Sequence, residues 1–224
     1  MTGGDRDCGA KSPAHAAWTP PVRSPADANR IPAMNGSHLF RAGRYQEEAN
    51  VALAFLARPG PATLEIGFDH GMCLADRARR WPDTLHVGLE IREARVSALL
   101  PHLPDNALAW RADARTVLSA VLPAGRLSTI YVFFPDPIWS ESHRERRLLF
   151  SPAFIELCAK ALIPGGRLHL ATDVEPYFQW VENLLSTWLS TAPPEVGQEL
   201  SRRDRVCKRD GIPVSRGTWS PPPP

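Results

Sequence analysis

Five short apolar segments run through the middle of this sequence, and stretches with helical spacing separate them. The predicted strands, rich in aliphatic, β-branched and aromatic residues, cover 62–67, 85–91, 107–112, 127–134 and 167–172. The predicted helices cover 36–57, 72–80, 93–100, 114–122, 152–162 and 174–189. Strands that alternate with helices in this way form a mostly parallel sheet with helices on both faces. The sequence therefore predicts a Rossmann-like α/β fold.

The length of 224 residues is sufficient for one such domain with tails. Residues 1–35 are rich in Pro, Ala, Ser and Gly and are predicted to be a loosely held arm. Residues 36–219 form the predicted domain, and 220–224 a proline-rich tail. No window has the roughly 18 apolar residues of a membrane helix, and the N-terminus lacks the apolar core of a secretory signal. We therefore expect a cytoplasmic protein that does not bind membranes.

Cysteine usage and charge constrain the function only weakly. The four cysteines are widely spaced and form no CxxC pair, which predicts neither a zinc site nor a disulfide framework: Cys8, Cys73, Cys158 and Cys207. Cys73 and Cys158 have apolar neighbours and are predicted core residues. A net charge of +2 neither requires nor excludes nucleic acid. Basic residues cluster at 144–147 and 202–209, which indicates either phosphate binding or a solvated helix face.

Acidic residues lie at or near the ends of all five predicted strands: Glu65, Glu90, Asp113, Asp136 and Asp173. The carboxyl ends of parallel strands meet at one edge of the sheet, where open α/β folds bind their ligands. For any single acid, a helix N-cap or a solvated loop is the simpler explanation. Acids at five successive strand ends indicate a ligand-binding cleft.

The positions of these acids suit S-adenosylmethionine, which carries a ribose diol, an adenine amine, an α-ammonium and a sulfonium. Glu90 ends the second strand, where a carboxylate can accept both ribose hydroxyls. Asp113 follows the third strand and can accept from the adenine amine. The turn from Gly67 to Gly71 allows a ligand to approach the backbone closely. We therefore expect S-adenosylmethionine as the cofactor.

Three long, ordered stretches resemble the bacterial tRNA (guanine-N7)-methyltransferases. They are HVGLEIREARVSALL at 86–100, IYVFFPDP at 130–137, and PAFIELCAKALIPGGRLHLATDVEPY at 152–177. The resemblance runs from about residue 64 to 188, with a fainter tail to 219. It implies a class I methyltransferase fold, S-adenosylmethionine as methyl donor and tRNA as substrate.

The resemblance also implies roles for individual residues. The predicted cofactor contacts are Glu65, Gly67, Gly71, Glu90, Asp113 and Asp136. Asp136 in the PDP turn would be the catalytic acid, Asp173 in the ATD stretch would contact the target guanosine, and 142–147 would face RNA. The further predicted substrate contacts are Trp139, Ser140, His143, Arg146, Arg147, Arg205 and Lys208. Trp139 either stacks on a base or packs its own loop, and His143 contacts phosphate or solvent or assists as a base.

The sequence departs from the family pattern in three places. Asp69 replaces a glycine of the first turn, although aspartate tolerates left-handed backbone better than most residues. After PDP, Ile138 displaces the usual Trp by one position, and Ser140 replaces a Lys. The family's C-terminal Thr-basic-aromatic-Glu segment aligns with 205–208, where neither the Thr nor the Glu is present.

These departures leave two alternatives to a tRNA enzyme. One is a small-molecule N-methyltransferase that acts on a purine-like or azaheterocyclic metabolite. The other is a degenerate relative that binds RNA or cofactor without turnover. Guanine N7 has a lone pair and no proton, so Asp136 is predicted to orient the substrate and stabilise charge. On an N–H heterocycle, the same carboxylate could act as a base.

Overall fold

The computed structural model describes residues 42–136, 148–194 and 201–223. Its helices are α1 (Ala42–Leu56), α2 (Met72–Arg80), α3 (Glu93–Leu99), α4 (Ala114–Ala120), α5 (Pro152–Ala161), α6 (Glu175–Leu184) and α7 (Arg202–Asp210). Its strands are β1 (Ala62–Ile66), β2 (Leu85–Glu90), β3 (Ala107–Arg111), β4 (Leu127–Phe133), β5 (Leu162–Thr172), β6 (Leu189–Ser190) and β7 (Ser215–Ser220). A short 3-10 helix, Leu100–His102, follows α3.

The seven strands form one sheet in the order β3-β2-β1-β4-β5-β7-β6. Strands β1 to β5 are parallel to their neighbours, whereas β7 pairs antiparallel with β5 and β6 antiparallel with β7. The order reverses between β1 and β4, and a crevice opens at such a switch point. The predicted mostly parallel sheet is confirmed, and its reversal places the ends of β1, β2 and β4 together.

Helices cover both faces of the sheet, as the sequence predicted. Adjacent residues of β3 belong to different core clusters, Trp110 to one and Ala109 to the other, because successive side chains of a strand point to opposite faces. The larger cluster contains residues from α1, α4, α5 and α6: Ala52, Val117, Phe154 and Val181. The smaller one contains residues from α2 and α3: Leu74, Val96 and Leu99.

The C-terminal third differs from the sequence prediction. The helix after β5 ends at Leu184 instead of residue 189, and Leu189–Ser190 joins the sheet as β6. Strand β5 begins at Leu162, directly after α5, and passes through the Pro-Gly-Gly at 164–166 with an irregular register against β4. Strand β7 was not predicted, since SRGTWS has no apolar run and its conformation comes from pairing with β5.

The predicted arm at 1–35 and the loop at 137–147 lie outside the described residues. Within the described part, no helix has a stretch of 18 residues apolar enough to cross a membrane.

Candidate active site

A cleft of about 730 Å³ opens at the carboxyl ends of β1, β2 and β4. All six predicted cofactor residues line it: Glu65, Gly67, Gly71, Glu90, Asp113 and Asp136. The N-terminal end of α7 lines its opposite side with Ser201, Arg202 and Arg203. The volume lies in the range of about 300–1,000 Å³ that is usual for small-molecule sites. Four of the five acids predicted at the strand ends therefore line one cleft, whereas Asp173 is not among its lining residues, and the roles of all five stay predictions.

The turn after β1 contains three left-handed residues. Gly67 has φ +74°, Asp69 +50° and Gly71 +72°. A Cβ on Gly71 would lie 2.1 Å from a methyl carbon of Leu99, so packing as well as backbone conformation requires glycine. A Cβ on Gly67 would meet no atom within 4 Å, which leaves this face of the turn open. The predicted tolerance of Asp69 for left-handed backbone is confirmed.

The carboxylate of Glu65 is buried under the cleft and forms an ion pair with a buried arginine. Arg77 of α2, fully buried, donates to Glu65 Oε2. Its guanidinium lies over the rings of Tyr131, 4.1 Å from the centroid, and Phe133, 5.6 Å away. Burial raises the pKa of the Glu65 carboxyl, and Arg77 opposes that effect. Glu65 therefore presents to the cleft an oriented, charge-compensated acceptor.

Glu90, at the end of β2, accepts hydrogen bonds from four donors, and only 4% of its side chain is exposed. The backbone N–H of Asp69 donates to Oε2 at 3.2 Å, and that of Arg92 donates to Oε1 at 3.0 Å. The Arg92 guanidinium donates to Oε1 through Nε at 3.0 Å and to Oε2 through Nη2 at 3.2 Å. The hydrogen bonds to Glu90 raise the pKa of Arg92. These donors orient the carboxylate of Glu90, the predicted acceptor for the ribose, and the Arg92 guanidinium covers it.

Asp113 is the N-cap of α4 and lines the cleft as well. Its Oδ1 accepts the backbone N–H of Thr116 at 3.1 Å. An ionised carboxylate has two oxygens and about four acceptor positions. The N-cap and a ligand contact are therefore compatible, and the structure shows the first of them directly.

The end of β4 contains a second non-glycine residue with positive φ. Phe134 has φ +49° and donates its N–H to the Ala171 carbonyl of β5 at 2.7 Å. Left-handed backbone is costly for a bulky residue and is retained where the surroundings impose it, often at functional sites. After this bend, Pro135 and the exposed Asp136 border the cleft.

Helix α7 brings to the cleft two arginines of the basic cluster at 202–209, Arg202 and Arg203, and one residue that the sequence analysis did not assign, Ser201. Ser201 caps the helix by accepting the Asp204 N–H at 3.1 Å. Arg203 forms an ion pair with Asp173, at the end of β5, and its Nε lies 3.0 Å from Oδ2. The signal in the sequence for Arg202 and Arg203 was the basic cluster at 202–209, whereas no pattern pointed to Ser201.

The remaining predicted substrate residues either do not line the cleft or lie outside the described part of the chain. Arg205 donates to the sulfur of Met72, 2.8 Å away. Met72 begins α2 directly after the turn from Gly67 to Gly71, which we call the cofactor turn. Lys208 is exposed on α7 and is not among the described residues that line the cleft. Five further predicted contacts lie outside the described residues: Trp139, Ser140, His143, Arg146 and Arg147. All of these roles stay predictions.

The cysteines are structural in the part of the chain that is described. Cys73, Cys158 and Cys207 are buried and form no disulfide in the described part of the chain, which confirms the two predicted core cysteines. Burial raises the pKa of the Cys73 thiol to about 12 and also raises that of Cys158, so neither thiol is ionised at neutral pH. In the described residues, no group of three or more His, Cys, Asp or Glu is placed to hold a metal ion.

Three comparisons relate this cleft to known proteins. A family model described as "Putative methyltransferase" matches residues 59–195. A tRNA (guanine-N(7)-)-methyltransferase of Thiobacillus denitrificans is 36% identical over 182 residues, 78% of this chain and 80% of that protein. One from Methylococcus capsulatus is 40% identical over 147 residues, 62% of this chain and 63% of that protein. The crystal structure of the aminoglycoside resistance methyltransferase NpmB1 is similar in fold, with a TM-score of 0.56, 15% identity, and coverage of 78% and 93% of the two chains.

Proposed function

The chain belongs to the tRNA (guanine-N7)-methyltransferase family, and from this membership we propose that it transfers a methyl group from S-adenosylmethionine to N7 of a guanine in tRNA. The observation that supports the proposal most strongly is the convergence of Glu90, Asp113 and Asp136 on one cleft. A tRNA substrate would also place the reaction in the cytoplasm.

The residues of the cleft fit the proposed cofactor. The open space beside Gly67 allows a ligand to approach the turn, and the cleft volume is sufficient for a nucleoside with an amino acid tail. Glu90 would accept the ribose hydroxyls, Asp113 the adenine amine, and Glu65 a donor at the floor of the cleft. When bound, S-adenosylmethionine supplies an electrophilic methyl group on a positively charged sulfonium.

The chain's own contribution to the reaction is to orient the purine and to stabilise charge. Guanine N7 attacks through a lone pair and has no proton to remove, so no general base is required. The purine becomes cationic as the methyl group is transferred. The exposed carboxylate of Asp136 follows the bend at Phe134 and would stabilise that charge across a short distance.

The substrate side is proposed to be the edge formed by the end of β5 and the start of α7. Both hydrogen bonds from Arg203 end on Oδ2 of Asp173, so Oδ1 would accept from the guanine. Ser201 and Arg202 line the cleft together with Arg203, the ion-pair partner of Asp173. We also retain 142–147 as a proposed RNA contact.

The tRNA assignment is better supported than the small-molecule alternative. The similarity to a tRNA enzyme extends over 78% of this chain and 80% of that enzyme. Asp69 adopts the left-handed conformation of the turn, which counts against a protein without turnover.

Competing substrates provide the test. Purified protein is incubated with labelled S-adenosylmethionine and either unmodified tRNA, guanosine or a mixture of free purines, and methyl transfer is measured for each. We expect transfer to tRNA, and at least a hundredfold loss with Asp136→Ala, which removes the proposed charge stabilisation. Transfer to the free purines with none to tRNA would contradict the proposal.

A further inference from the structure

One arginine side chain connects the two sides of the predicted ribose site. The guanidinium of Arg92 contacts both carboxylate oxygens of Glu90, and its Nη2 also lies 3.0 Å from Oδ1 of Asp69. Asp69 belongs to the cofactor turn after β1, whereas Glu90 ends β2. All three residues line the cleft. The Arg92 side chain therefore bridges the turn after β1 and the end of β2.

This contact competes with the proposed ribose contact. A carboxylate has about four acceptor positions, and four donors already occupy those of Glu90. The two backbone N–H donors are fixed by the turn and by the start of α3. The guanidinium belongs to a side chain that is 54% exposed, so it can move into solvent. A ribose diol would reach Glu90 by displacing Arg92.

Asp69 provides a second partner for the displaced arginine. Its carboxylate also lies 3.4 Å from Nε of Arg95, so it remains paired with a cation in either position of Arg92. A glycine at this position would adopt φ +50° without strain, whereas aspartate does so at a cost of about 1 kcal/mol. The carboxylate thus gives a physical reason for a strained residue at the entrance of the site.

We propose that Arg92 and Asp69 form a latch over Glu90: Arg92 covers Glu90 in the free protein, leaves it when the cofactor ribose binds, and is then held by Asp69. The proposal rests on the proposed cofactor site. Because only the open form can bind, the latch weakens the apparent affinity by the fraction of molecules that are open. Asp69 already contacts Arg92 in the closed form, at 3.0 Å, but there Glu90 is a second partner, so loss of Asp69 costs the open form more than the closed form.

The latch makes opposite predictions for its two members. Arg92→Gln frees Glu90 and is expected to tighten binding about two- to fivefold, the range of an ion pair that is half exposed. Asp69→Gly leaves Arg92 without its second partner and is expected to weaken binding by a similar factor. The double variant is expected to bind like Arg92→Gln alone, because Asp69 acts only through Arg92.

The experiment is titration calorimetry of the full chain with S-adenosylhomocysteine, which carries the same ribose and needs no turnover. Arg111→Gln is the matched control, since Arg111 forms an exposed ion pair with Glu93 at 2.9 Å and does not line the cleft. Its affinity should equal that of the wild type. Glu90→Gln should bind weakly with or without Arg92→Gln.

The outcomes separate the latch from the cofactor site on which it rests. Weaker binding by Arg92→Gln would overturn the latch alone, because Arg92 would then orient Glu90 or contact the ligand. Tighter binding by Asp69→Gly would also overturn it, since the carboxylate would then be repelling the ligand. No binding by the wild type, or equal binding by Glu90→Gln, would overturn the proposed cofactor site and the latch with it.

Discussion

Single residues of the cofactor turn are constrained in different ways although their backbone angles are similar. Gly67 and Gly71 share nearly the same φ, but only Gly71 also lacks space for a side chain. Asp69 adopts the same region with a side chain that has cationic partners in Arg92 and Arg95. Backbone conformation alone therefore does not determine which residue each position accepts.

A prediction follows for Gly71→Ala. The methyl group would lie 2.1 Å from Leu99, so the variant should lose about 1–3 kcal/mol of unfolding free energy through overpacking, beyond the cost of the backbone angle. Gly211→Ala is the matched control, because Gly211 has φ +66° and no atom within 4 Å of its Cβ position. Urea denaturation measures both. Equal losses would show that backbone strain alone constrains Gly71.

The sequence identified the acidic residues of the cleft but not the basic residues that pair with them. Glu90, Asp113 and Asp136 could be predicted because each follows an apolar strand of recognisable pattern. Arg77 could not, because it comes from a different element than Glu65 and meets that carboxylate only in the folded chain. Charge partners of this kind depend on tertiary packing, which residue spacing does not encode.

Among the elements, the five parallel strands were predictable and the antiparallel edge was not. Strands β1 and β2 are buried at every residue, as central parallel strands are, and their sequences are mostly apolar. Strand β7 contains Ser, Arg, Gly and Thr and is a strand because it pairs with β5. Most of the nine residues of α7 are charged, so the sequence did not indicate a helix with a buried side. In the structure, Asp204 and Cys207 of this helix are buried.

Helix α7 gives a second prediction. Ser201→Ala removes the cap of α7 and should cost about 1 kcal/mol of stability. Because 201–203 line the cleft, it should also raise KM for tRNA severalfold while the Kd for cofactor changes little. Ser151→Ala removes the equivalent cap of α5, which accepts the Phe154 N–H at 3.1 Å. If both variants raised KM equally, α7 would have no special role in substrate binding.

For the molecule as a whole, two buried histidines link stability to pH. Burial lowers the pKa of His86 in β2 and of His169 in β5 to about 4. Each Nδ1 lies 2.8 Å from a threonine hydroxyl, of Thr63 and Thr218 respectively. Arg216, Arg77 and Arg167 further lower the pKa of His169, whereas Asp204 opposes them. Both rings are therefore neutral in the folded protein at pH 5.

The sign of the effect follows from proton binding. Below about pH 6.5 the unfolded chain protonates these histidines, while the folded protein does so only near pH 4. The free energy of unfolding should therefore fall between pH 6.5 and 4, by about 1 kcal/mol per pH unit for each histidine. Urea denaturation at pH 7 and pH 5 measures this loss, and His169→Gln should reduce it. An unchanged loss in that variant would exclude His169 as a source.

The global arrangement brings the cofactor turn, the end of β4 and the start of α7 to one cleft at the switch point of the sheet. The lining of this cleft combines the acids Glu90, Asp113 and Asp136 with the basic side chains of Arg202 and Arg203. That arrangement suits a reaction in which a neutral guanine becomes a cation next to carboxylates. The proposed reaction therefore depends on the whole topology as well as on single residues.

The most direct measurement is the identity of the methylated nucleoside. Unmodified tRNA is incubated with the protein and S-adenosylmethionine, digested to nucleosides and analysed by mass spectrometry, with Asp136→Ala in parallel. We expect 7-methylguanosine with the wild-type protein and a greatly reduced amount with the variant. A different methylated nucleoside, or none from a protein that binds the cofactor, would contradict methylation of guanine N7 in tRNA.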